Sequence, residues 1–311
     1  MSKLLYTDLM EYANDAAAQA AYVTDGDPIY GSDFLTGGTA SAIGTNVGAA
    51  ANAVDNNEST YWGHNPERSP RPEWWQYDLG VSVTKIARKM TLHPYYLSGN
   101  CRIQNFNLRG SNDNSSFTTV YSGTHANTNA IETYTFSNST AYRYYRVEIT
   151  SRWGGGTRVG ICEVEMIEIT GYNIQSYSES TIKQQGTYSL KGVAVITDSL
   201  NDTLTKTLTD YLDYSIMDKL IFQVRSSRTG ENLQLQIHDT GGTTSSHTID
   251  IAVADTWQTE TWDISGITGT DRDTIDKIII KVSEASAANT FYFDNLYSEI
   301  KMEHSYPWIG G

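Results

Sequence analysis

Short segments rich in β-branched and aromatic residues follow one another from about Thr39 onward, and clusters of Gly, Asn, Ser and Asp separate them. Regular spacing of this kind is typical of β-sandwiches and barrels. Apolar and polar residues alternate most clearly in segment 232–239, with Leu233, Leu235 and Ile237 on one side and Gln234, Gln236 and His238 on the other. A period of two places such sets on opposite faces of a strand. The sequence therefore predicts an all-β protein with half-buried sheets.

The chain is long enough for two domains, since each half of its 311 residues can bury a core. We predict a boundary near residues 169–173, between two series of strand-like segments. Residues 6–23 include the alanine-rich run DAAAQAAY and predict a short helix with one exposed side. The segment that follows, DGDPIYGSDFLTGG, has the composition of a linker.

The formal net charge of −14 argues against nucleic acid and anionic membranes as partners, because the sequence has no compensating basic patch. No apolar run is long enough to insert in a bilayer. The N-terminal residues lack the basic and apolar regions of a classical signal peptide, so we expect no classical export. We accordingly expect the four sequons, which begin at Asn57, Asn114, Asn138 and Asn201, to carry no glycan.

The two cysteines, Cys101 and Cys162, are too few for a disulfide framework or a closed zinc site. Two free thiols in or near a core are favoured, and a bridge between them stays open. Neither a Gly-x-Ser-x-Gly elbow, a His-Glu-x-x-His motif nor a phosphate loop is present, so the sequence predicts no catalysis. We interpret His247 and His304 as isolated surface histidines.

Five segments together resemble a known family. They are AVDNNESTYW at 53–62, WQYDLG at 75–80, RIQNFNLRGSNDNSSFTTVYSG from Arg102, YRYYRVEI from Tyr142 and ICEVEMI from Ile161. In order and spacing they resemble the discoidin domain, also called the coagulation factor five/eight type C domain, and most closely family-32 carbohydrate-binding modules. The resemblance implies a jelly-roll-like sandwich with a ligand site on loops at one end.

The second series of strands is similar to another galactose-binding-like carbohydrate-binding module, through YSESTIKQQGTYSLK, DTWQTETWDIS and FYFDNLYSEI. We predict that the discoidin-like domain is inserted between the first and second strands of this outer module, since insertion is easy where a domain's termini lie close together. The predicted domains are 1–27 with 171–300 for the outer module, 38–169 for the inserted one, and a tail at 301–311. The tail either docks on a larger particle or is disordered.

The resemblance divides the aromatic and charged residues into core and site. Trp62, Trp75 and Leu79 fall on core positions of the family pattern. Sugar recognition needs a flat apolar face and a few groups that make strong hydrogen bonds. Loop residues that supply these groups, by the resemblance, form the candidate glycan site: His64, Arg68, Arg71, Trp74, His93, Tyr96, Asn100, Trp153 and Arg158. Contacts of these loops with protein remain an alternative.

The family also has a structural calcium site, which requires several oxygen ligands. By resemblance, the ligands are the Ala53 carbonyl, Asp55, Asn57, Thr60 and Glu163. The sequence has Asn56 where the family often has glycine, which bears on the geometry of this turn. In the outer module, Asp294 with Glu179 is a candidate for a second calcium ion, and a satisfied surface carboxylate is the alternative.

These observations predict a non-catalytic glycan-binding protein. Adhesive modules without an export signal suggest release by lysis, and hence a phage virion component such as a decoration, tail or fibre protein. Two alternatives are a purely structural virion protein and the targeting subunit of a secreted glycan-degrading system. The expected partners are cell-surface or extracellular glycans, other virion proteins and further copies of the chain in a homo-oligomer. The expected location is the virion or the extracellular space. A polar strand face of Gln223, Arg225, Gln234, Gln236 and His238 is either a second glycan groove or a solvated sheet or subunit face.

Overall fold

The computed structural model describes residues 3–44, 47–64, 72–95, 102–154 and 158–300. The chain divides into two compact units. One, the outer unit, consists of Met1–Pro28 and Gly171–Gly311, and the other, the inserted unit, of Ile29–Thr170. The predicted tail, 301–311, lies outside the described residues. The fold is all-β, as predicted, and no helix in the described ranges has the length and apolar character needed to span a bilayer.

The N-terminal segment forms β1 (Lys3–Asp8), α1 (Asp15–Ala21) and β2 (Val23–Thr24). Asn14 starts the helix, because its side chain accepts a hydrogen bond from the Ala17 amide at 2.9 Å. The prediction of a helix over 6–23 is therefore wrong for its first half. β1 instead pairs with the last strand of the chain, a partner that local sequence does not reveal.

The inserted unit contains ten strands among its described residues: β3 (Pro28–Asp33), β4 (Thr39–Ala42), β5 (Trp62–His64), β6 (Glu73–Asp78), β7 (Lys89–Pro94), β8 (Asn105–Ser111), β9 (Thr118–Thr124), β10 (Glu132–Thr135), β11 (Tyr144–Ile149) and β12 (Val159–Tyr172). One sheet has the order β10-β7-β12-β3, with β5 also paired to β12, and the other has the order β4-β6-β11-β8-β9. The predicted linker contains β3, so that prediction is wrong. Proline is tolerated there because it is the first residue of its strand.

The core of the inserted unit lies between these two sheets. Trp62 and Trp75 are fully buried and Leu79 nearly so, which confirms the predicted core positions. Both indole N–H groups are satisfied, since Trp62 donates to the Gly44 carbonyl and Trp75 to the Ala50 carbonyl, each at 2.8 Å. The aromatic residues of 53–80 are thus divided between core and surface by the alternation of β5 and β6.

The rest of the outer unit contains nine strands: β13 (Ile174–Glu179), β14 (Ser189–Ala194), β15 (Thr203–Leu212), β16 (Lys219–Ser226), β17 (Gly230–Asp239), β18 (Thr244–Ile251), β19 (Gln258–Asp263), β20 (Ile275–Val282) and β21 (Asn289–Ile300). One sheet has the order β13-β14-β21-β16-β19, with β1 on β21, and the other has the order β18-β17-β20-β15-β2. The insertion follows β2, not the first strand. Its two chain crossings are close, because the Asn173 amide donates to the Asp27 carbonyl at 3.0 Å.

The alternation predicted for 232–239 is confirmed in β17. Leu233, Leu235 and Ile237 are buried in the core, opposite Phe222 and Val224 of β16. The single polar face predicted for both strands is wrong. Gln223 and Arg225 point outward from the sheet of β16, whereas Gln234, Gln236 and His238 point outward from the sheet of β17. Adjacent strands in sequence here belong to different sheets, so these residues form two separate faces.

Candidate functional site

Strand ends converge at one end of the inserted unit, which we call the loop end. His64 at the end of β5 pairs with Val159 at the start of β12, and Ile149 at the end of β11 pairs with Glu73 at the start of β6. The loop end comprises these strand termini and the described residues of the connections that join them, at 72, 95, 102–104, 150–154 and 158. Three of the predicted glycan residues lie there: His64, Trp153 and Arg158. Arg68, Arg71, Tyr96 and Asn100 also belong to these connections in sequence, but lie outside the described residues.

An inner cluster of polar side chains closes the core at the loop end. His64 pairs with buried Val159 and shares its inward orientation; burial lowers the pKa of His64, and the nearby charge of Glu73 opposes this. The Glu73 carboxylate is buried and lies 3.8 Å from the Arg152 guanidinium. His64 Nδ1 is buried and has no hydrogen-bond partner among the described residues. Sequence reasoning missed Glu73, although the alternation that buries Trp75 and Tyr77 places Glu73 on the same face.

An outer cluster lies on the other side of β12. Gly63 and Gly160 pair across β5 and β12, and the stacked rings of Tyr61 and Tyr95, with centroids 3.5 Å apart, lie close to them. A Cβ atom on Gly160 would lie 2.8 Å from the Tyr95 Cβ, so a side chain there would displace the stack. Arg158 is half-buried and acts electrostatically on Tyr95. The loop end therefore offers aromatic rings beside a cation.

Trp153 is held at two points. Its backbone amide donates to the Arg102 carbonyl at 2.9 Å, and its indole N–H donates to the His125 carbonyl at 2.8 Å. The indole is half-buried, and Gly154 follows it with a φ of +76°, a conformation that suits glycine. The chain therefore turns directly after Trp153. A fixed, partly exposed ring is what a sugar-stacking side chain requires.

Trp74 lies in β6, so the prediction that it belongs to a ligand loop is wrong. Its ring faces the Arg146 guanidinium at 4.4 Å, and Phe117 faces the same group at 3.8 Å. Arg146 also donates to the Gln76 side chain at 2.8 and 3.0 Å. Trp74 thus lies on the outer face of its own sheet, where its ring makes a cation–π contact with Arg146.

His93 lies beside the predicted calcium loop. It pairs in β7 with Glu163 of β12, and its Nδ1 is 3.9 Å from the Glu58 carboxylate. A cavity of about 140 Å³ opens here, lined by Asn56, Glu58, Thr91, His93, Ile131, Glu163 and Glu165. The side chain of His93 therefore has an acidic environment, and its predicted role in glycan binding stays a prediction.

The predicted calcium loop forms a tight turn around its carboxylate. Asp55 accepts hydrogen bonds from the Asn57 amide at 3.0 Å and from the Thr60 hydroxyl at 2.7 and 2.9 Å. Asn56 has a φ of +56°, so it adopts the left-handed conformation that glycine often supplies here. Ala53 is buried in the 3-10 turn that precedes the loop. The substitution of asparagine for glycine therefore leaves the turn intact.

Glu163 faces this loop from β12. Burial raises its pKa to about 7, and the charge of Asp55 adds to the effect, while amides of Asn57 and Asn56 oppose it. Glu163 Oε2 is buried and unpartnered among the described residues. Two neighbouring carboxylates fit an oxygen-rich site for a hard cation. The described residues contain no group of three or more His, Cys, Asp or Glu arranged to hold a metal, so any such site would depend on carbonyl, amide and hydroxyl oxygens as well.

The outer unit has a second buried carboxylate, Asp294 of β21. Its Oδ2 accepts from the Gln184 and Gln185 amides at 2.7 and 3.0 Å, and its Oδ1 is unpartnered among the described residues. Burial raises the pKa of Asp294, and the charge of Glu11 contributes. Glu179 instead accepts from the Thr181 amide at 2.7 Å. The structure thus adds Glu11 to this region, and the Asp294–Glu179 pair stays a prediction.

The remaining histidines and the cysteines lie apart from the two candidate sites or outside the described residues. His247 is half-buried, stacks on Trp262 and lies 3.1 Å from the Glu260 carboxylate, so its prediction as a surface residue is wrong. Cys162 is a free, buried thiol whose pKa burial raises to about 11, which makes it unreactive at neutral pH. Cys101 and His304 lie outside the described residues.

Comparison with known proteins concerns mainly the inserted unit. A truncated AlyQ with CBM32 and alginate lyase domains is 14% identical with a TM-score of 0.42, over 88% of this chain and 100% of that one. The fifth CBM32 of a GH89 protein from Clostridium perfringens, in complex with GalNAc-β-1,3-galactose, is 22% identical with a TM-score of 0.39, over 44% of this chain and 99% of that one. The CBM32 of AlyQ in complex with 4,5-unsaturated mannuronic acid is 29% identical with a TM-score of 0.35, over 41% and 92%.

No curated protein matches the chain. The family model that does match is that of the F5/8 type C domain, over residues 37–164. These residues extend from just before β4 into β12, and include the loop predicted to bind calcium and all the connections of the loop end. In sequence, the inserted unit is therefore similar to an F5/8 type C domain.

Proposed function

We propose that the protein is a non-catalytic carbohydrate-binding protein whose ligand site is the loop end of the inserted unit. The observation that carries this proposal is the half-buried Trp153 ring, which a hydrogen bond to the His125 carbonyl fixes at the loop end. A sugar presents a flat apolar face together with hydroxyl groups, so a site for it combines rings with directed polar groups. The match of residues 37–164 to the F5/8 type C domain supports the same site.

Each group has a distinct task in such a site. The Trp153 indole is fixed by its bond to the His125 carbonyl, so it can stack on a sugar ring with little loss of side-chain entropy. His64 carries a buried nitrogen without a partner among the described residues, and Arg158 carries a guanidinium, which makes strong bidentate hydrogen bonds. Glu73 positions the inner cluster through His64 and Arg152.

We also propose a structural calcium ion in the loop that precedes β5. The ligands would come from Ala53, Asp55, Asn57, Thr60 and Glu163. The support is the buried Glu163 Oε2, which has no partner among the described residues, together with the nearby Asp55, whose charge adds to burial in raising the pKa of Glu163. When bound, the cation would neutralise this pair. Asp55, Asn57 and Thr60 already hold one another through hydrogen bonds, so they would keep the loop in a form that receives the ion.

A glycan array with three proteins tests the proposal. Wild type should bind a limited set of glycans, and Trp153→Ala should lose at least about tenfold in affinity, because it removes the stacking ring. Trp257→Ala is the matched control, since Trp257 is a half-buried tryptophan of the outer unit. Loss of binding in Trp257→Ala alone would move the site to the outer unit. No binding by folded wild type would favour the structural alternative.

We further propose that the protein is a component of a phage virion, with the targeting subunit of a secreted glycan-degrading system as the alternative. Mass spectrometry of purified phage particles would detect the chain if it is a virion component, and genomic neighbours that encode glycan-degrading enzymes would favour the targeting subunit instead. A purely structural virion protein would be found in particles and would bind no glycan. Hydrolysis of a bound glycan by the purified protein would contradict the non-catalytic assignment.

A further inference from the structure

One carboxylate outside the loop end is connected to Trp153 by a short series of contacts. Glu132 begins β10, which belongs to the sheet of β7 and β12, whereas β9 belongs to the sheet of β8. Residues 125–131 connect β9 to β10. The Trp153 indole bonds to the first residue of this connection, His125. The position of the ring therefore depends on how firmly the connection itself is held.

His125 anchors the connection from the core side. Its side chain is fully buried, and its ring lies against that of Tyr134, with centroids 6.4 Å apart. His125 Nδ1 lies 2.9 Å from the Ala126 carbonyl oxygen, which only accepts, so this nitrogen carries the hydrogen. The backbone amide of His125 donates to the Gln104 carbonyl at 2.7 Å. The residue that accepts the Trp153 indole N–H is thus held by both its ring and its backbone.

Glu132 holds the same connection from the side of β10. Its Oε1 accepts from the Ala126 amide at 3.1 Å and lies 3.7 Å from His125 Nδ1. Its Oε2 accepts from the hydroxyl of buried Tyr134 at 2.6 Å. Burial, this hydrogen bond and the charge of Glu132 all raise the pKa of Tyr134, so the phenol stays a donor at neutral pH. Hydrogen bonds to a carboxylate are stronger than those between neutral groups, so both oxygens of Glu132 stabilise the connection.

We propose that Glu132 is a positioning residue of the glycan site, which fixes the Trp153 ring through the Ala126 amide and the His125 carbonyl. This inference rests on the proposed glycan-binding function and extends it to a residue outside the loop end. Without the carboxylate, the Ala126 amide loses this acceptor and the connection is no longer tied to β10 at that point. The indole then has a less firmly held acceptor, and ordering the ring on a sugar costs more binding free energy.

The experiment follows the indole N–H of Trp153 by heteronuclear NMR of the isotope-labelled full chain. Trp153→Ala identifies this resonance by its absence, and the resonances of the other tryptophans report whether each variant is folded. In Glu132→Ala we expect the indole hydrogen of Trp153 to exchange with water at least about fivefold faster, because its acceptor is less firmly held. Affinity for the glycan that wild type binds most tightly on the array should fall about fivefold. Glu132→Gln keeps an acceptor oxygen and should restore most of both properties.

Glu168→Ala is the matched control. The Glu168 carboxylate also accepts from a backbone amide, that of Ile86 at 2.9 Å, and its side chain is 28% exposed, against 27% for Glu132. Glu168 lies in the second half of β12, whereas Val159 starts that strand at the loop end. The control should leave the exchange rate of the Trp153 indole and the glycan affinity at their wild-type values. Equal changes in Glu132→Ala and Glu168→Ala would reflect a general loosening of the unit and would overturn the inference.

The remaining outcomes separate the inference from the proposed function. An unchanged exchange rate of the Trp153 indole in Glu132→Ala would overturn the inference and leave glycan binding by wild type in place. If Glu132→Ala does not fold, Tyr134→Phe takes its place, since it removes only the hydroxyl that donates to Glu132. An unchanged indole in that variant would equally overturn the inference. If folded wild type binds no glycan, the proposed function fails and the inference fails with it.

Discussion

The two units share a sandwich architecture, but the outer sheet faces of the outer unit differ from the loop end of the inserted unit in how their polar side chains are satisfied. On those sheet faces polar groups bond to one another: His238 lies 2.6 Å from the Asp276 carboxylate, and Gln223 donates to the Thr259 hydroxyl at 3.0 Å. At the loop end of the inserted unit, His64 Nδ1 has no partner and Arg158 has no carboxylate nearby among the described residues. Polar side chains thus have internal partners on those sheet faces, whereas some at the loop end have none among the described residues.

The difference separates polar groups that maintain a sheet from groups available to a ligand. Native proteins satisfy nearly all buried polar atoms, so an exception needs a physical reason. Gln234 and Gln236 donate to Thr248 and Ser246 of the neighbouring strand, and these bonds account for the polar face of β17. At the loop end, by contrast, no bond from a described residue reaches the buried Nδ1 of His64. Polarity of a strand face is therefore weak support for a binding site unless its groups lack internal partners.

The largest expected effect tests whether the units are independent. Trp75→Ala removes a fully buried side chain whose indole N–H bonds to the Ala50 carbonyl, and we expect it to destabilise the inserted unit by about 3–5 kcal/mol. Trp257→Ala in the outer unit removes a half-buried ring and should have a much smaller effect. Differential scanning calorimetry would show one displaced transition if the units unfold separately. Displacement of every transition by the same amount would contradict that independence.

Removal of calcium should have the next largest effect and should distinguish the two carboxylate sites. At a concentration about a hundredfold above Kd, a ligand of the folded state adds about 2.7 kcal/mol of stability. We expect chelation to lower the Tm of wild type and Asp55→Ala to abolish that shift. Asp250→Asn is the control, because Asp250 is exposed in β18. If Asp294→Asn abolishes the shift and Asp55→Ala does not, the cation belongs to the outer unit.

A glycine substitution in β12 tests the outer cluster. In Gly160→Ala the new Cβ would lie 2.8 Å from the Tyr95 Cβ and 2.5 Å from the Trp62 carbonyl oxygen, so we expect a loss of about 1–3 kcal/mol in stability and weaker glycan binding. Gly171→Ala, in the same strand, has open space around the new Cβ and should be nearly neutral. Denaturant unfolding and the glycan array measure the two effects. Equal stability and equal glycan affinity of the two variants would show that the Tyr61–Tyr95 stack can shift without loss of stability.

Period-two alternation made the apolar side of β17 predictable, and the family resemblance placed Trp62 and Trp75 in the core. All are buried as expected, because successive residues of a strand point to opposite faces. The alternation that buries Trp75 also places Glu73 inside and Trp74 outside, provided that β6 begins at Glu73. The sequence analysis assigned Trp74 to a loop because strand boundaries are uncertain by one or two residues.

Pairing between distant segments was not predictable in the same way. β1 pairs with β21 at the opposite end of the chain, and β3 belongs to the sheet of β12, although its sequence has the composition of a linker. β16 and β17 are neighbours in sequence but belong to opposite sheets. These features depend on topology, which local patterns do not encode. The half-buried position of Trp153 and its bond to the His125 carbonyl likewise depend on neighbours in three dimensions.

The smallest effects should come from two aspartates with opposite pH behaviour, half-buried Asp33 in the inserted unit and buried Asp239 in the outer unit. Burial raises the pKa of Asp33 above 3.8, although its side chain accepts from the Met166 and Leu35 amides at 2.8 and 3.1 Å. Burial would also raise the pKa of Asp239, but bonds from the Gly241 amide and from Thr274 outweigh it, so that pKa lies below 3.8. The contribution of Asp33 to stability therefore falls as pH rises, whereas the contribution of Asp239 falls as pH is lowered.

For Asp33, the folded state binds the proton more tightly than the unfolded chain, so stability should decline as pH rises through the range just above 3.8. Asp33→Asn keeps an acceptor oxygen and should remove that decline. For Asp239, the stabilising contribution is present above 3.8 and is lost as pH falls through the lowered pKa, so Asp239→Asn should lower stability at neutral pH by up to about 1.5 kcal/mol. The measurement is the Tm of wild type and of each variant as a function of pH. The difference between wild type and a variant gives the slope that the replaced aspartate contributes. Slopes of the same sign would show that burial dominates at both sites, and that the amide bonds of Asp239 do not compensate for it.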